Sequence, residues 1–120
     1  MELHENKQHR SHYERLGNIP FLVVSKTQAQ ISKQAAAIIG IDVGDTVLIA
    51  SKDENKYIAV LPMDSTKKGY KVMVRPPEAL YFVTEAYIKE GILEQCDYLI
   101  DIEDVLSHQG IDYFLLTKLT

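Results

Sequence analysis

A cysteine and a histidine in the second half of the chain are the residues whose types could support covalent chemistry. Cys96 is the single cysteine, it stands beside Asp97, and His108 follows further along. A cysteine–histidine nucleophile requires the two side chains within hydrogen-bond distance and a third group that orients the histidine. Distance along the sequence does not decide whether the two side chains meet, and the alternative is a small, partly buried side chain at Cys96. We therefore expect no catalytic residue.

Four acidic residues near the same point could hold a divalent cation through carboxylate oxygens, which hard cations prefer as ligands. They are Asp97, Asp101, Glu103 and Asp104. Ile100 and Ile102 alternate with two of these acids, which is the pattern of a strand with one solvent-facing side. A solvated strand explains the acids without a metal, so we predict no metal site here.

Residues 1–18 form a polar segment that contains three of the four histidines, His4, His9 and His12. Their spacing does not place all three imidazoles on one face of a helix, so a shared metal ion is not expected. Polar terminal segments are often poorly ordered, and we predict a flexible tail. The alternative is an arm that packs on a partner or lies along a phosphate backbone.

The composition, with 46% hydrophobic and 25% charged residues in a chain of 120, is that of one ordinary globular domain. One cysteine excludes an internal disulfide, and no phosphate-binding loop, dinucleotide motif or serine nucleophile turn is present. We therefore expect no cofactor and no enzymatic activity. No signal peptide is visible, and no apolar run approaches the roughly 20 residues of a membrane helix. These features predict a cytoplasmic protein that does not contact a membrane.

The net charge of −4 is unevenly distributed along the chain. Residues 21–76 carry eight lysines or arginines against five acids, whereas residues 77–120 carry two lysines against nine acids. A chain with one basic and one strongly acidic half is not a general nucleic-acid binder. Any contact with DNA is therefore expected in the first half, and the acidic half is expected to suit a basic protein partner.

Residues 31–50 give the clearest local signals in the sequence. Ser32 is a good N-cap, and Lys33–Ile39 contains three alanines with no glycine or proline. Gly40 can adopt the left-handed conformation that ends a helix. A turn over residues 41–45 then leads to a β-branched, apolar strand over residues 46–49.

Residues 39–45, Ile-Gly-Ile-Asp-Val-Gly-Asp, together with Val47 resemble the turn of AbrB-type swapped-hairpin transcription factors. Residues 31–33 stand where that family has isoleucine-proline-lysine, and the hairpin over residues 52–62 resembles the family's last hairpin. The resemblance covers residues 20–62. Ala29 and Gln30 replace the family's glycine and arginine, and Ser32 replaces its proline.

The same pattern recurs in the second half when Ile31 is placed on Val83 and Ser32 on Thr84. Thr84 then becomes an N-cap, residues 85–90 a helix and Gly91 its C-cap. A strand over 70–74 precedes this helix, and strands over 98–102 and 113–119 follow it, with a connection over 103–112. The duplication resembles MraZ-type proteins, which carry two swapped-hairpin units in each chain.

We therefore predict an α+β fold, mostly β, in which two strand-strand-helix-strand-strand repeats form one small barrel-like domain. The predicted divisions are a tail over 1–18, a first repeat over 19–63, a linker over 64–69 and an acidic second repeat over 70–120. Apolar residues of both repeats should face one core. The inward residues expected are Ala35, Ala36, Ile38, Ile39, Val47, Ile49, Ile58, Val60, Ala86, Tyr87, Ile88, Leu99, Phe114 and Leu116.

The resemblance implies a DNA-binding transcriptional regulator that contacts double-stranded DNA through its basic first repeat. Lysines neutralise phosphates, and glutamines can pair with adenine edges. The residues at matching positions are Lys26, Gln28, Gln30 and Lys33, with Lys52 and Lys56 on the other hairpin. The main alternative is a protein-interaction or scaffolding module, which can form homo-oligomers, and an enzyme or small-molecule binder is the third.

Overall fold

Eleven elements make up the part of the chain that the structure, a computed structural model, describes, namely residues 20–76 and 79–119. The predicted tail lies outside these residues. The first half contains β1 (Phe21–Val24), β2 (Gln28–Ile31), α1 (Lys33–Ile39), β3 (Thr46–Lys52) and β4 (Asn55–Leu61). The second contains β5 (Tyr70–Lys71), β6 (Met73–Arg75), β7 (Ala79–Val83), α2 (Glu85–Lys89), β8 (Asp97–His108) and β9 (Ile111–Leu119).

The strands form one antiparallel sheet in the order β5-β3-β4-β9-β8-β1-β2-β7-β6. Its two outermost strands, β5 and β6, are separated along the chain by Val72 alone. The N–H of Val72 donates to the carbonyl of Asp45 at 2.7 Å, and its carbonyl accepts from Gly44 at 2.8 Å. The sheet therefore curls into a nearly closed barrel, which confirms the prediction of a mostly β, barrel-like domain.

The main core lies inside this barrel and draws on both halves. Leu22, Val47, Phe82 and Ile100 are among its most buried side chains. Of the residues expected inward, Ala35, Val47, Ile49, Ile58, Tyr87 and Leu116 are buried, and Ala36, Ile39, Val60, Ile88 and Phe114 pack against the core. The prediction of an inward side chain is wrong for Ile38, Ala86 and Leu99. Ile38 and Ala86 are exposed, and Leu99 alternates with the buried Tyr98 and Ile100.

Helix α1 has the predicted bounds because both of its caps form. The Ser32 hydroxyl oxygen accepts from the N–H of Ala35 at 3.1 Å and from the N–H of Phe21 at 3.0 Å. At the other end Gly40 has a φ of 84°, and its N–H donates to the carbonyl of Ala36. The same serine therefore caps the helix and holds the beginning of β1.

Helix α2 has the predicted N-cap residue, Thr84, but no cap formed by its side chain. Thr84 is fully buried, and within the described part of the chain its hydroxyl forms no hydrogen bond. The helix ends at Lys89, with Glu90 rather than Gly91 as its C-cap and Gly91 following at a φ of 73°. The helix is held mainly by Tyr87, which is buried in the core.

The predicted connection over 103–112 is wrong, because most of it belongs to the strands of one long hairpin. Strand β8 runs to His108 and pairs with β9 across a register shift between Asp101 and Val105. Asp101 stabilises this bulge, since its Oδ1 accepts from the N–H of Glu103 at 2.9 Å and from the N–H of Asp104 at 3.2 Å.

Beyond the bulge, the hairpin packs on the outer side of β3 and β4 and forms a second apolar cluster. Its buried members are Ala59, Leu61, Ile111 and Tyr113, with Leu48, Ala50, Tyr57 and Leu106 packed against them. Because Ile49 and Ile58 face the barrel interior, Ala50 and Ala59 necessarily face the other side of the same two strands.

Candidate nucleic-acid interface

The turn between β1 and β2 exposes Lys26 at the end of a tight hairpin. Both the N–H and the hydroxyl of Ser25 donate to the carbonyl of Gln28, at 2.8 and 2.9 Å. The carbonyl of Thr27 accepts from the N–H of Thr84 at 3.0 Å, which ties the turn to the end of β7. Lys26 therefore stands on a fixed backbone with an exposed side chain.

Strand β2 presents its glutamines on the outside of the barrel. Ala29 and Ile31 are buried, whereas Gln28 is half-buried and Gln30 exposed, as the alternation of a strand requires. Lys33 follows as the exposed first residue of α1. The structure thus brings four of the six predicted DNA-contacting residues to one region.

The second half adds an arginine to this outer face. Gln30 pairs with Tyr81 on β7, and Tyr81 pairs with Met73 on β6. Directly paired residues share a face, as do residues two apart, so Arg75 lies on the same face as Gln30. Its guanidinium carbon is 4.8 Å from the centre of the Tyr81 ring, a cation–π contact that holds the side chain.

Sequence reasoning missed Arg75 and Tyr81 because they belong to the predicted second repeat and are distant from Gln30 along the chain. Only the pairing of β2 with β7 brings them together. Two acidic residues limit the positive character of this face. Asp97 on β8 pairs with Val23 on β1, and the exposed Glu85 begins α2.

Lys52 and Lys56 lie elsewhere. Both are on the β3–β4 hairpin, and three strands separate β4 from β2 in the sheet. Ser51 pairs with Lys56, and the Nζ of Lys56 is 3.4 Å from the Ser51 hydroxyl, so Lys52 and Lys56 project from opposite faces of the hairpin. The structure does not bring these two lysines to the surface that contains Gln30.

A groove of about 860 Å³ runs beside this surface, between α1 and the beginning of β7. Phe21, Ile31, Ala36 and Leu80 give it an apolar lining, and Gln30 and Lys33 lie on its border. The groove is therefore an apolar surface beside the polar face. The described residues that line it form no cluster of titratable groups.

The two constellations suspected of chemistry are not assembled. Cys96 precedes β8 and His108 ends it, so a strand of twelve residues separates the two side chains. Burial raises the pKa of the Cys96 thiol, an effect only partly opposed by a hydrogen bond with Tyr98, and so lowers its nucleophilicity. In the described residues no group of histidine, cysteine and acidic side chains is arranged to hold a metal ion.

Within the described residues, no helix has both the length and the apolar surface needed to cross a membrane. Comparison of the chain with models of protein families, with curated proteins and with solved structures finds no match among any of the three.

Proposed function

We propose that the protein is a DNA-binding transcriptional regulator of the AbrB/MraZ-like class, built from two swapped-hairpin repeats in one chain. It contacts double-stranded DNA through the outer face of β2 and the residues beside it. The proposed contact residues are Lys26, Gln28, Gln30 and Lys33, to which we add Arg75 from the second repeat.

The strand pairings support the duplicated architecture. Strand β1 pairs with β8, and β5 pairs with β3, so the first strand of each proposed repeat pairs with the strand that follows the helix of the other. The remaining contacts between repeats join equivalent strands, β2 with β7 and β4 with β9. Two backbone N–H groups in the strands that follow the helices bond outside the paired strand residues. The N–H of Ile49 donates to the Tyr87 hydroxyl, and the N–H of Ile100 donates to the Pro20 carbonyl.

The observation that carries the DNA proposal is the row of outward side chains across β2, β7 and β6. Gln28 and Gln30 can pair with base edges, Lys26 can neutralise a phosphate, and Arg75 supplies the fork of donors that guanine readout favours. Tyr81 holds that guanidinium in place before binding, so less side-chain entropy is lost on contact.

Fluorescence anisotropy with a random-sequence duplex, repeated over a range of salt concentrations, tests this function. Phosphate contacts release counterions, so affinity should fall as salt rises, with a log–log slope of about 0.9 for each phosphate neutralised. Absence of binding at low salt would overturn the regulator proposal, because non-specific affinity is greatest there.

The charge reversal Lys26→Glu with Lys33→Glu should abolish binding. A matched control is Lys67→Glu with Lys68→Glu, which changes the net charge equally at two exposed residues of the linker. Equal losses in both double variants would indicate a general charge effect and would contradict the placement on β2.

Arg75→Lys keeps the charge but removes the bidentate geometry of the guanidinium. We expect the Arg75→Lys variant to keep most of its affinity for random DNA. Its preference for a selected site over random DNA should fall by about tenfold, because one bidentate base contact contributes about that much discrimination. An unchanged preference would remove Arg75 from the readout while leaving the function itself standing.

A protein-interaction module is the second candidate, favoured by the β8–β9 hairpin. Ile102 and Val105 are among the exposed large apolar residues, at 41% and 37%, and they flank the exposed Glu103 and Asp104. An apolar patch with acidic neighbours suits a basic protein or the basic half of a second copy. Analytical ultracentrifugation at low and high salt tests the second-copy form, since self-association through opposite charges should weaken as salt rises.

A further inference from the structure

The outer cluster formed by the β8–β9 hairpin does not close completely. A pocket of about 300 Å³ remains between β3, β4 and the end of the hairpin, on the side of the sheet that faces away from the main core. It lies outside the surface proposed for DNA, because its lining residues belong to β3, β4, β8 and β9 and that surface belongs to β2, β7 and β6.

The interior of this pocket is apolar and aromatic. Ala50, Leu106 and the rings of Tyr57 and Tyr113 line it. Tyr113 is only 7% exposed, and Leu106 pairs with it directly across the hairpin, so these two walls are fixed by the strand register. Tyr57 and Ala50 form another directly paired set on the opposite wall. The lining is therefore preformed.

The rim is cationic and can donate hydrogen bonds. Lys52 and His108 both line the pocket, and both are exposed. No carboxylate is among the lining residues. Asp112, the acid nearest to Tyr113 along the chain, alternates to the other face of the hairpin and accepts from the Ser107 hydroxyl at 2.6 Å. Within the described residues Lys52 forms no ion pair.

We propose that this pocket binds a small carboxylate that carries one aromatic ring. The ring occupies the space between the two tyrosines and Leu106, where it loses contact with water. The carboxylate pairs with the Lys52 ammonium and accepts a hydrogen bond from the His108 imidazole. The volume is at the lower end of small-molecule sites, which limits the ligand to about one ring and a short acid chain.

The test uses the full-length protein labelled with 15N and three carboxylates as probes, namely benzoate, phenylacetate and 3-phenylpropionate. At least one should shift the amide resonances of residues 50–52, 57, 106–108 and 113 in a saturable way. Phenylacetamide, which has the same ring without the charge, should bind at least fivefold more weakly than phenylacetate.

Lys52→Met should lower the affinity for the best probe by about tenfold, because it removes one charge-assisted contact at a partly exposed site. Lys68→Met is the matched control, and its affinity for the same probe should stay within twofold of that of the original chain. Both lysines are exposed, so folding is not at stake in either variant. The proposal is overturned if no probe binds at up to about 10 mM, a limit that still detects weak ligands. Equal binding of the neutral amide, or an affinity unaffected by Lys52→Met, also overturns it.

Discussion

The hydroxyl of Tyr87 on α2 accepts a hydrogen bond from the backbone N–H of Ile49 on β3, at 3.2 Å. Strand β5 pairs only with Thr46 and Val47, so this N–H lies beyond the end of β5. A side chain from the helix therefore completes the hydrogen bonding of a strand that its short neighbour leaves unfinished. The Tyr87 ring also meets Tyr70 of β5 edge-on, with 5.1 Å between ring centres.

Replacing Tyr87 by phenylalanine keeps the ring and leaves the buried N–H of Ile49 without an acceptor. We expect the free energy of unfolding, measured by urea denaturation, to fall by about 1–3 kcal/mol, the cost of an unsatisfied buried donor. Tyr81→Phe is the control, since the Tyr81 hydroxyl has no hydrogen bond in the described part of the chain. A loss of equal size in the control would show that the Ile49 contact is not the cause.

The stability of the fold should decrease in strongly alkaline solution. Burial raises the pKa of Tyr87 and of Tyr98, although a backbone N–H donated to each hydroxyl partly opposes the effect. The folded protein therefore keeps these phenols protonated at a pH where the unfolded chain has lost the protons. Their contribution is complete below the unfolded pKa of about 10 and is lost as the pH rises through the folded values.

Urea midpoints between about pH 8 and pH 11.5 measure this loss, over a range that brackets the ordinary tyrosine pKa. The midpoint should be level at first and then decline, and Tyr87→Phe should decline less steeply than the original chain. A variant that declines in parallel would assign the alkaline loss to other groups.

The two residues that precede the helices should respond to substitution with opposite signs. Thr84→Val removes a buried hydroxyl that has no partner among residues 20–76 and 79–119 and keeps the shape of the side chain. We expect the free energy of unfolding to rise by about 1 kcal/mol. Ser32→Ala removes an acceptor used by two N–H groups, and a fall of about 1–2 kcal/mol is expected. Destabilisation by Thr84→Val would mean that its hydroxyl has a partner in solution.

Gly69 is required by close approach rather than by an unusual φ. A Cβ at this position would collide with the carbonyl oxygen of Val47 and stand 2.9 Å from the Cγ2 of Thr46. Gly69→Ala should therefore push β5 away from β3 and reduce the free energy of unfolding by about 1–3 kcal/mol. Lys68→Ala, one residue earlier and exposed, should change it by less than about 0.5 kcal/mol. Thermal unfolding followed by circular dichroism compares the two variants.

The turn between β3 and β4 places two residues other than glycine in the left-handed region. Asp53 has a φ of 51° and Glu54 a φ of 72°. Glu54→Gly should stabilise the protein by about 1 kcal/mol, because aspartate-glycine suits a two-residue turn of this type. Glu54→Ala keeps the steric cost and should give no gain. Denaturation midpoints that move equally in the two variants would contradict this explanation.

Helix α1 was predictable from sequence because its signals are local and agree with one another. Ser32, the alanine-rich segment and Gly40 each act within a few residues of the helix they define. Thr84 likewise precedes α2, but it is buried in the fold and its hydroxyl forms no cap hydrogen bond with the helix. A similar local signal therefore located the beginning of α2 but did not predict whether the side chain would cap it.

The long β8–β9 hairpin was missed for two physical reasons. The bulge between Asp101 and Val105 shifts the alternation of inward and outward residues by changing the register. The sequence on its two sides therefore does not look like one continuous strand. The turn at Gln109 and Gly110 has φ values of 53° and 78°, but glutamine is an uncommon first residue for such a turn. The pocket beside Lys52 followed from this hairpin, so it could not be inferred either.

The candidate DNA surface was predictable only in part. Lys26, Gln28 and Gln30 are close in sequence, and the alternation along β2 puts Gln28 and Gln30 on one face. The Arg75–Tyr81 contact depends on the pairing of β2 with β7, for which no local pattern exists.

The order of the strands has a consequence for the synthesis of this chain on the ribosome. Strands β1, β2, β3 and β4 each pair with a strand made later, namely β8, β7, β5 and β9. When residue 61 has been translated, every strand of the first half still has an unpaired side, and its apolar face has no opposite wall. The nascent first half therefore exposes unpaired strand edges until β9 has left the ribosome, and such edges are the sites at which incompletely folded chains pair with one another.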